Sequence, residues 1–244
     1  RGVTKVLSSD ATTAETTDAD TLTSFDSDGF SLGADSKVNT NTGNFVAWQW
    51  LEGAAPGFDI VSYTGNGSAR TISHSLSAIP KMIIVKNRDQ ADAWQVYHAG
   101  VSGVTGDPQT DYMVLNTTAA AVDSADRWND TAPTSSVFSL GTGVEVNTNT
   151  EDYIAYLFAE VWGFSSFGYY TGSGTADGPM VHTPGMSPAW VMIKDSTGGG
   201  YWGMEDVIRS PYNVVNTQVD ANTADAEFDS AGRAIDFLSN GFKV

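Results

Sequence analysis

No cysteine occurs in the 244 residues. The fold therefore has no disulfide and no thiolate metal site, and the redox compartment leaves no trace in the composition. Basic residues are scarce: 12 Lys and Arg stand against 29 Asp and Glu, for a formal net charge of −17. So negative a surface repels phosphate, which argues against nucleic acid as a partner. At the ionic strength of seawater the Debye length contracts to about 4 Å, so self-repulsion that costs stability in dilute buffer is largely screened there. No run approaches the roughly 18 apolar residues of a spanning helix, and no membrane span is expected.

Signatures of chemistry are missing as well. His74, His98 and His182 are the only histidines, and none has the i, i+4 partner of a zinc site. There is no nucleophile elbow and no phosphate loop with its lysine. Gly141-Thr142-Gly143 and Gly198-Gly199-Gly200 have the character of turn glycines. Asp26 with Asp28, and Asp123 with Asp126, are the loop carboxylates that a structural Ca²⁺ ion would use, but neither pair has the alternating Asp-x-Asp-x-Asp-Gly spacing. No enzyme activity, cofactor or metal is expected.

What the sequence does contain is enough to fold. Hydrophobic residues make up 41% and aromatics 11%, sufficient for a packed core. The 25 glycines, with abundant Thr, Ser, Asn and Asp, favour strands and turns over helices. Phe58 to Tyr63 alternates apolar and polar residues before the turn Gly65-Asn66-Gly67. Lys81 to Lys86, Trp190 to Lys194 and Tyr153 to Ala159 are short continuous apolar runs, the mark of strands covered on both faces. Weak helical turns are expected over 12–20 and 119–127, both rich in Asp and Thr or Ala.

Self-similarity is the strongest signal. Phe30-Ser31-Leu32-Gly33 returns as Phe138-Ser139-Leu140-Gly141 at an offset of 108, and Val38 to Thr42 returns as Val146 to Thr150 at the same offset. Phe45-Val46-Ala47-Trp48 matches Tyr153-Ile154-Ala155-Tyr156, while Pro80, Lys86 and Trp94 match Pro188, Lys194 and Trp202. Tyr63-Thr64-Gly65-Asn66-Gly67 returns one residue early, as Tyr170-Thr171-Gly172-Ser173-Gly174. Ala14-Glu15, Phe25 and Gly29-Phe30 match Ala226-Glu227, Phe237 and Gly241-Phe242 at an offset of 212. The expected fold is all-β, as tandem β-sandwich or jelly-roll-like repeats of about 108 residues. In that frame 1–57 is the back part of one unit, 58–165 a complete unit and 166–244 the front part of a further unit. Such a chain starts and stops inside a repeat, so a parent protein with flanking repeats is expected.

These blocks resemble the β-domain repeats of tailed-bacteriophage virion proteins, tail-fibre-like or structural, abundant among marine phages. The resemblance is carried by Arg1 to Lys5 with Leu7 to Asp10, by Phe25 to Gly33, and by Ser73 to Leu76 with Ile79-Pro80. Ile84 to Arg88, Phe158 to Val161 and Asp236 to Lys243 complete it. It implies a virion structural component exposed to the medium and leaves tail or head open; a tail fibre or appendage with a role in host adhesion is the leading expectation. The alternatives are a capsid decoration or head-fibre protein, and a glycan-binding module. Its partners would then be copies of itself, as a homo-oligomer such as a trimer, other virion proteins, and a host surface glycan.

Aromatics at matched positions, Trp94 with Trp202 and Trp48 with Tyr156, are expected in shared core packing. Trp128, Trp162, Tyr169 and Tyr201 lie near loops or outside the matched blocks, and are the candidates for contact with a glycan or partner.

Overall fold

The computed structural model describes residues 2–101, 106–175 and 177–244, and they are mostly β, in several antiparallel sheets with a few single-turn helices. At the start, β1 (Lys5–Val6) pairs with β2 (Thr16–Thr17), and β3 (Leu22–Asp26) forms a hairpin with β4 (Gly29–Leu32). A helical turn, α1 (Ser36–Asn39), follows. The middle of the chain holds β5 (Phe58–Thr64), β6 (Arg70–Ser73), β7 (Pro80–Asn87), β8 (Gln95–His98), β9 (Asp111–Val114) and β10 (Val122–Asp123). It continues through α2 (Ala125–Trp128), β11 (Val137–Leu140), α3 (Val144–Asn147) and β12 (Asp152–Ala159). The last part has β13 (Met180–His182), β14 (Trp190–Ile193), β15 (Gly203–Asp206) and β16 (Thr217–Asp220). β17 (Phe228–Asp229), β18 (Asp236–Leu238) and β19 (Gly241–Lys243) end it.

The largest sheet has six strands in the order β10-β9-β8-β7-β12-β5. Two of its interior strands, β7 and β12, comprise two of the continuous apolar runs. The reason is burial on both faces. On one side Ile83, Val85, Tyr97, Tyr153, Ala155 and Leu157 pack against Ile72, Phe138 and Leu140 of the β6–β11 ribbon. On the other, Met82, Ile84, Val96, Met113, Tyr156 and Phe158 pack under Trp94, Trp202, Leu7 and Ala221. Each aliphatic side chain so buried contributes about 1.5–3 kcal/mol relative to exposure. The second cluster draws on the first and last parts of the chain as well as the middle, so this sheet cannot be covered by its own segment alone.

The weak helical expectation holds only where a cap supports it. Ser124 accepts from the Asp126 amide at 3.3 Å and Asn129 closes α2 in the left-handed region. Over 12–20 there is no helix, because Asp18 folds back on the Asp20 amide (3.0 Å) and the chain enters β2 instead.

Matched positions make matched bonds. The Asp18 amide donates to Thr4, Ser124 to Thr110 and Ser230 to Asn216, each at 2.8 Å and each 106 residues after the last. The strand pairs Lys5–Thr17, Asp111–Asp123 and Thr217–Asp229 keep the same spacing. Asn39 and Asn147 close their helical turns alike, donating from Nδ2 to the carbonyls of Gly33 and Gly141 at 2.8 Å. A Cβ on Gly33 would strike the Asp20 carbonyl, and one on Gly141 the Ala125 carbonyl, so both turns require a glycine.

The two asparagines differ in surroundings. Asn147 is fully buried and also donates to the Ser68 carbonyl (2.7 Å) and accepts from the Asn66 amide (3.0 Å); Asn39 is exposed, with one bond. Replacing Asn147 by Ala strands one buried and two partly buried backbone groups and is expected to cost about 2–4 kcal/mol, against less than about 1 kcal/mol for Asn39→Ala. Urea unfolding of the two variants checks the difference; equal costs would remove Asn147 as the hub of the β5–β6 turn.

Candidate assembly interface

β7 is flanked by β8 and β12, whereas its counterpart β14 has, among the described residues, only β15 beside it in the order β14-β15-β16-β17. One edge of the last sheet is open. Trp190 lies at the start of that edge, with its indole N–H buried and without a partner. Such an edge offers a row of backbone donors and acceptors to another strand.

Beside the edge lies a cavity of about 440 Å³, bounded among others by Tyr170, Ile193, Asp195, Tyr201, Glu205 and Arg233. Its origin is visible in the substitutions between matched positions. The middle sheet fills this place with Gln95, Tyr97 and Tyr112, and the last sheet has Gly203, Glu205 and Gln218 there. Arg127 bonds Gln95 at 2.9 Å and covers the Tyr112 ring; Arg233 instead bonds Asp220 at 3.2 Å and covers Tyr201. Glu205 is buried with one carboxylate oxygen unpaired, as is Gln218 Oε1. Burial pushes the Glu205 carboxyl up to about 7, against the pull of Arg209 and Arg233 and with the push of Asp220.

The strand that closes the corresponding place in the middle sheet is β12. Its matched segment, 44–51, has no regular structure and exposes Phe45, Val46, Trp50 and Leu51. Trp50 packs among Phe58, Phe158 and Trp190, with ring centroids 6.2, 6.0 and 6.0 Å away.

The segments also meet along a tryptophan seam. The Trp94 amide donates to Asn116 (2.9 Å) and the Trp202 amide to Asn222 (2.8 Å). The Trp94 indole donates to the Ser8 carbonyl at 2.9 Å, and the Trp202 indole to Val114 at 3.1 Å. Both rings are buried, as their matched placement leads one to expect.

The four candidate contact residues are not brought together as one patch. Trp128 is buried against Tyr97, its ring centroid 6.1 Å away, and presents no free face. Trp162 and Tyr169 are exposed by 78% and 73%. Tyr201 is partly exposed at the rim of the cavity. Glu205 and Gln218 escaped notice in the sequence; the signal was a carboxylate and an amide aligned with two tyrosines. Among the described residues no group of three or more His, Asp and Glu is placed to hold a metal ion. Asp26 accepts from the hydroxyls of Ser24 and Ser31, each at 2.8 Å. His98 is half-buried, and desolvation lowers its pKa to about 4. No described helix is long and apolar enough to cross a membrane.

A family model described as a domain of unknown function, DUF7483, matches residues 1–244, and the chain belongs to that family. No curated protein matches, and no solved structure does.

The Glu205 environment has a consequence for stability. The folded state binds this proton more tightly than the unfolded chain, whose carboxyl titrates near the ordinary 4.5. Its contribution is whole below the unfolded value and is lost as pH rises through about 7. Glu205→Gln is expected to remove that loss, leaving the variant more stable than wild type by roughly 1–3 kcal/mol at alkaline pH. Unfolding curves across the pH range check it; parallel pH profiles would show Glu205 to be ionised in the fold.

Proposed function

We propose that the chain is a non-enzymatic structural module of a tailed-phage virion, assembled from tandem β units and placed in a tail fibre or comparable appendage with a role in host adhesion. The observation that supports the assembly part of the reading is the seam; the virion part rests on the resemblance of the sequence blocks. Hairpins matched at 106-residue spacing bring Leu7, Leu115 and Ala221 into one apolar cluster, with Trp94 and Trp202 bonded across it. A cluster completed by residues from the neighbouring segments is the economy of repeat-built proteins, in which each unit leaves a face for its neighbour. The lack of a nucleophile-elbow, zinc-spacing or phosphate-loop signature in the sequence is consistent with assembly rather than turnover. The acidic surface keeps such a part dispersed at high local density.

Cryo-electron microscopy of purified virions, with the chain identified by mass spectrometry, tests the assignment. Density in a tail appendage is the expected result. Density on the capsid lattice would make the chain a decoration protein, and its absence from particles would overturn a virion role.

Glycan recognition is the second reading, favoured by the exposure of Trp162, Phe164 and Tyr169 within a short stretch. Exposed rings of this kind stack on pyranose faces. Trp162 rests on Gly185, where a Cβ would come within 2.7 Å of the indole, so the ring is seated rather than loose. On an array of host surface polysaccharides, binding that falls at least tenfold in Trp162→Ala is expected; background signal from wild type would end this reading.

A further inference from the structure

We infer that residues 44–51 of one copy of the chain add as a strand to the open edge of β14 in a second copy, joining chains head to tail. The inference rests on the repeat reading above and names the surface through which such units connect.

Three observations converge on it. The first is the internal precedent. β12 pairs with β7 in the register Ala155–Val85, Tyr156–Ile84, Leu157–Ile83 and Phe158–Met82. Shifting the strand back and the edge forward by 108 places Ala47 opposite Ile193, Trp48 opposite Met192, Gln49 opposite Val191 and Trp50 opposite Trp190. Every one of these residues is present, on a segment without a strand partner and on an edge without a second neighbour among the described residues.

The second is the cavity. In the middle sheet Tyr153 lies opposite Asn87 and stacks on Tyr63, with ring centroids 5.2 Å apart and planes at 9°. The counterparts are Phe45 for the incoming ring, and Asp195 and Tyr170 for its surroundings. Asp195 and Tyr170 both border the 440 Å³ space, while Phe45 stands 53% exposed. The cavity has the place and the lining of a slot for Phe45.

The third is the tether. Within one chain Trp48 and Trp50 lie 6.4 and 6.0 Å from Trp190 and Arg209 covers the Trp48 ring, yet among the described residues the segment forms no strand ladder with β14. Its C-terminal end is pinned to β5 by the bridge in which Gly53 and Phe58 exchange bonds of 2.8 and 3.2 Å. A segment arriving from a second copy is free of that constraint relative to β14. The contact is heterologous, since donor and acceptor surfaces differ, and repetition yields chains or a closed ring. With −17 charges on each copy, association is strengthened by salt.

The absence of cysteine makes the test clean. Gln49→Cys and Val191→Cys are made as separate variants and mixed under mild oxidation in about 0.5 M salt, where screening is strong. A disulfide-linked dimer is expected from the mixture, and none when Val191→Cys is replaced by Met192→Cys, one residue out of register. Sedimentation of the unmodified protein is expected to show self-association that weakens at least tenfold in Phe45→Ala and in Ala47→Pro. Both changes fall in an exposed segment without secondary structure, and proline removes the amide a ladder needs. A chain that stays monomeric at high concentration and high salt overturns the inference. So does a double variant, Gln49→Cys with Val191→Cys, that closes its disulfide within one chain. Both results are independent of where the protein sits in a particle, so they fail or succeed apart from the virion assignment.

Discussion

The pairing of β7 with β12 governs the rest of the molecule. The two strands align from Tyr153–Asn87 to Ala159–Pro80 and carry apolar side chains on both faces. A sheet built on such a pair must be covered twice. The β6–β11 ribbon covers one face from within the same stretch of chain. The other face is covered by Trp94 and Leu115 of the same stretch together with Leu7 from upstream and Trp202 and Ala221 from downstream. The seam between segments is therefore a requirement of the central strands, and the tryptophan hydrogen bonds give it a defined geometry.

The last segment answers the same requirement differently. It keeps the tryptophan and its asparagine partner but exchanges Gln95, Tyr97 and Tyr112 for Gly203, Glu205 and Gln218. Volume is lost and polarity gained in one place, which is why a cavity and a carboxyl raised to about 7 occur together. Gly203 is tied to this arrangement, since a Cβ there would run into the Gln218 amide. Asp220 takes the hydrogen bonds of Gln218 and Arg233, so the negative charge nearest Glu205 is itself bonded.

Much of this was legible in the sequence where the signal was local. The apolar runs, the turn at Gly65 to Gly67 and the matched tryptophans declared themselves through periodicity and recurrence. Trp128 did not, because its burial depends on a single helical turn closed by Asn129 at φ 52°, which swings the ring under Tyr97. Pairing order was beyond reach: that β12 enters between β5 and β7 is a contact across 66 to 100 residues, and no short pattern encodes it. Segment 44–51 shows the limit most clearly. It has the sequence of a buried strand and lies exposed, because a strand is made by its neighbours and not by its composition alone.

Natural sheets blunt an open edge with charge, proline, a bulge or a short strand. β14 uses some of these means: it is short, Pro188 precedes it, and Lys194 and Asp195 follow it. Lys194, however, turns its ammonium back onto the carbonyls of Asp195 (2.7 Å) and Thr118 (3.3 Å), where burial lowers its pKa. The charge best placed to guard the edge is thus spent on holding the β14–β15 loop to the seam. Lys86 makes the same kind of bond, to the Asn87 carbonyl at 2.6 Å, at the edge of β7 that β12 covers. The same bond from a lysine to the following carbonyl thus occurs beside a covered edge and beside an open one, which is the pattern expected if β14 is paired as inferred above.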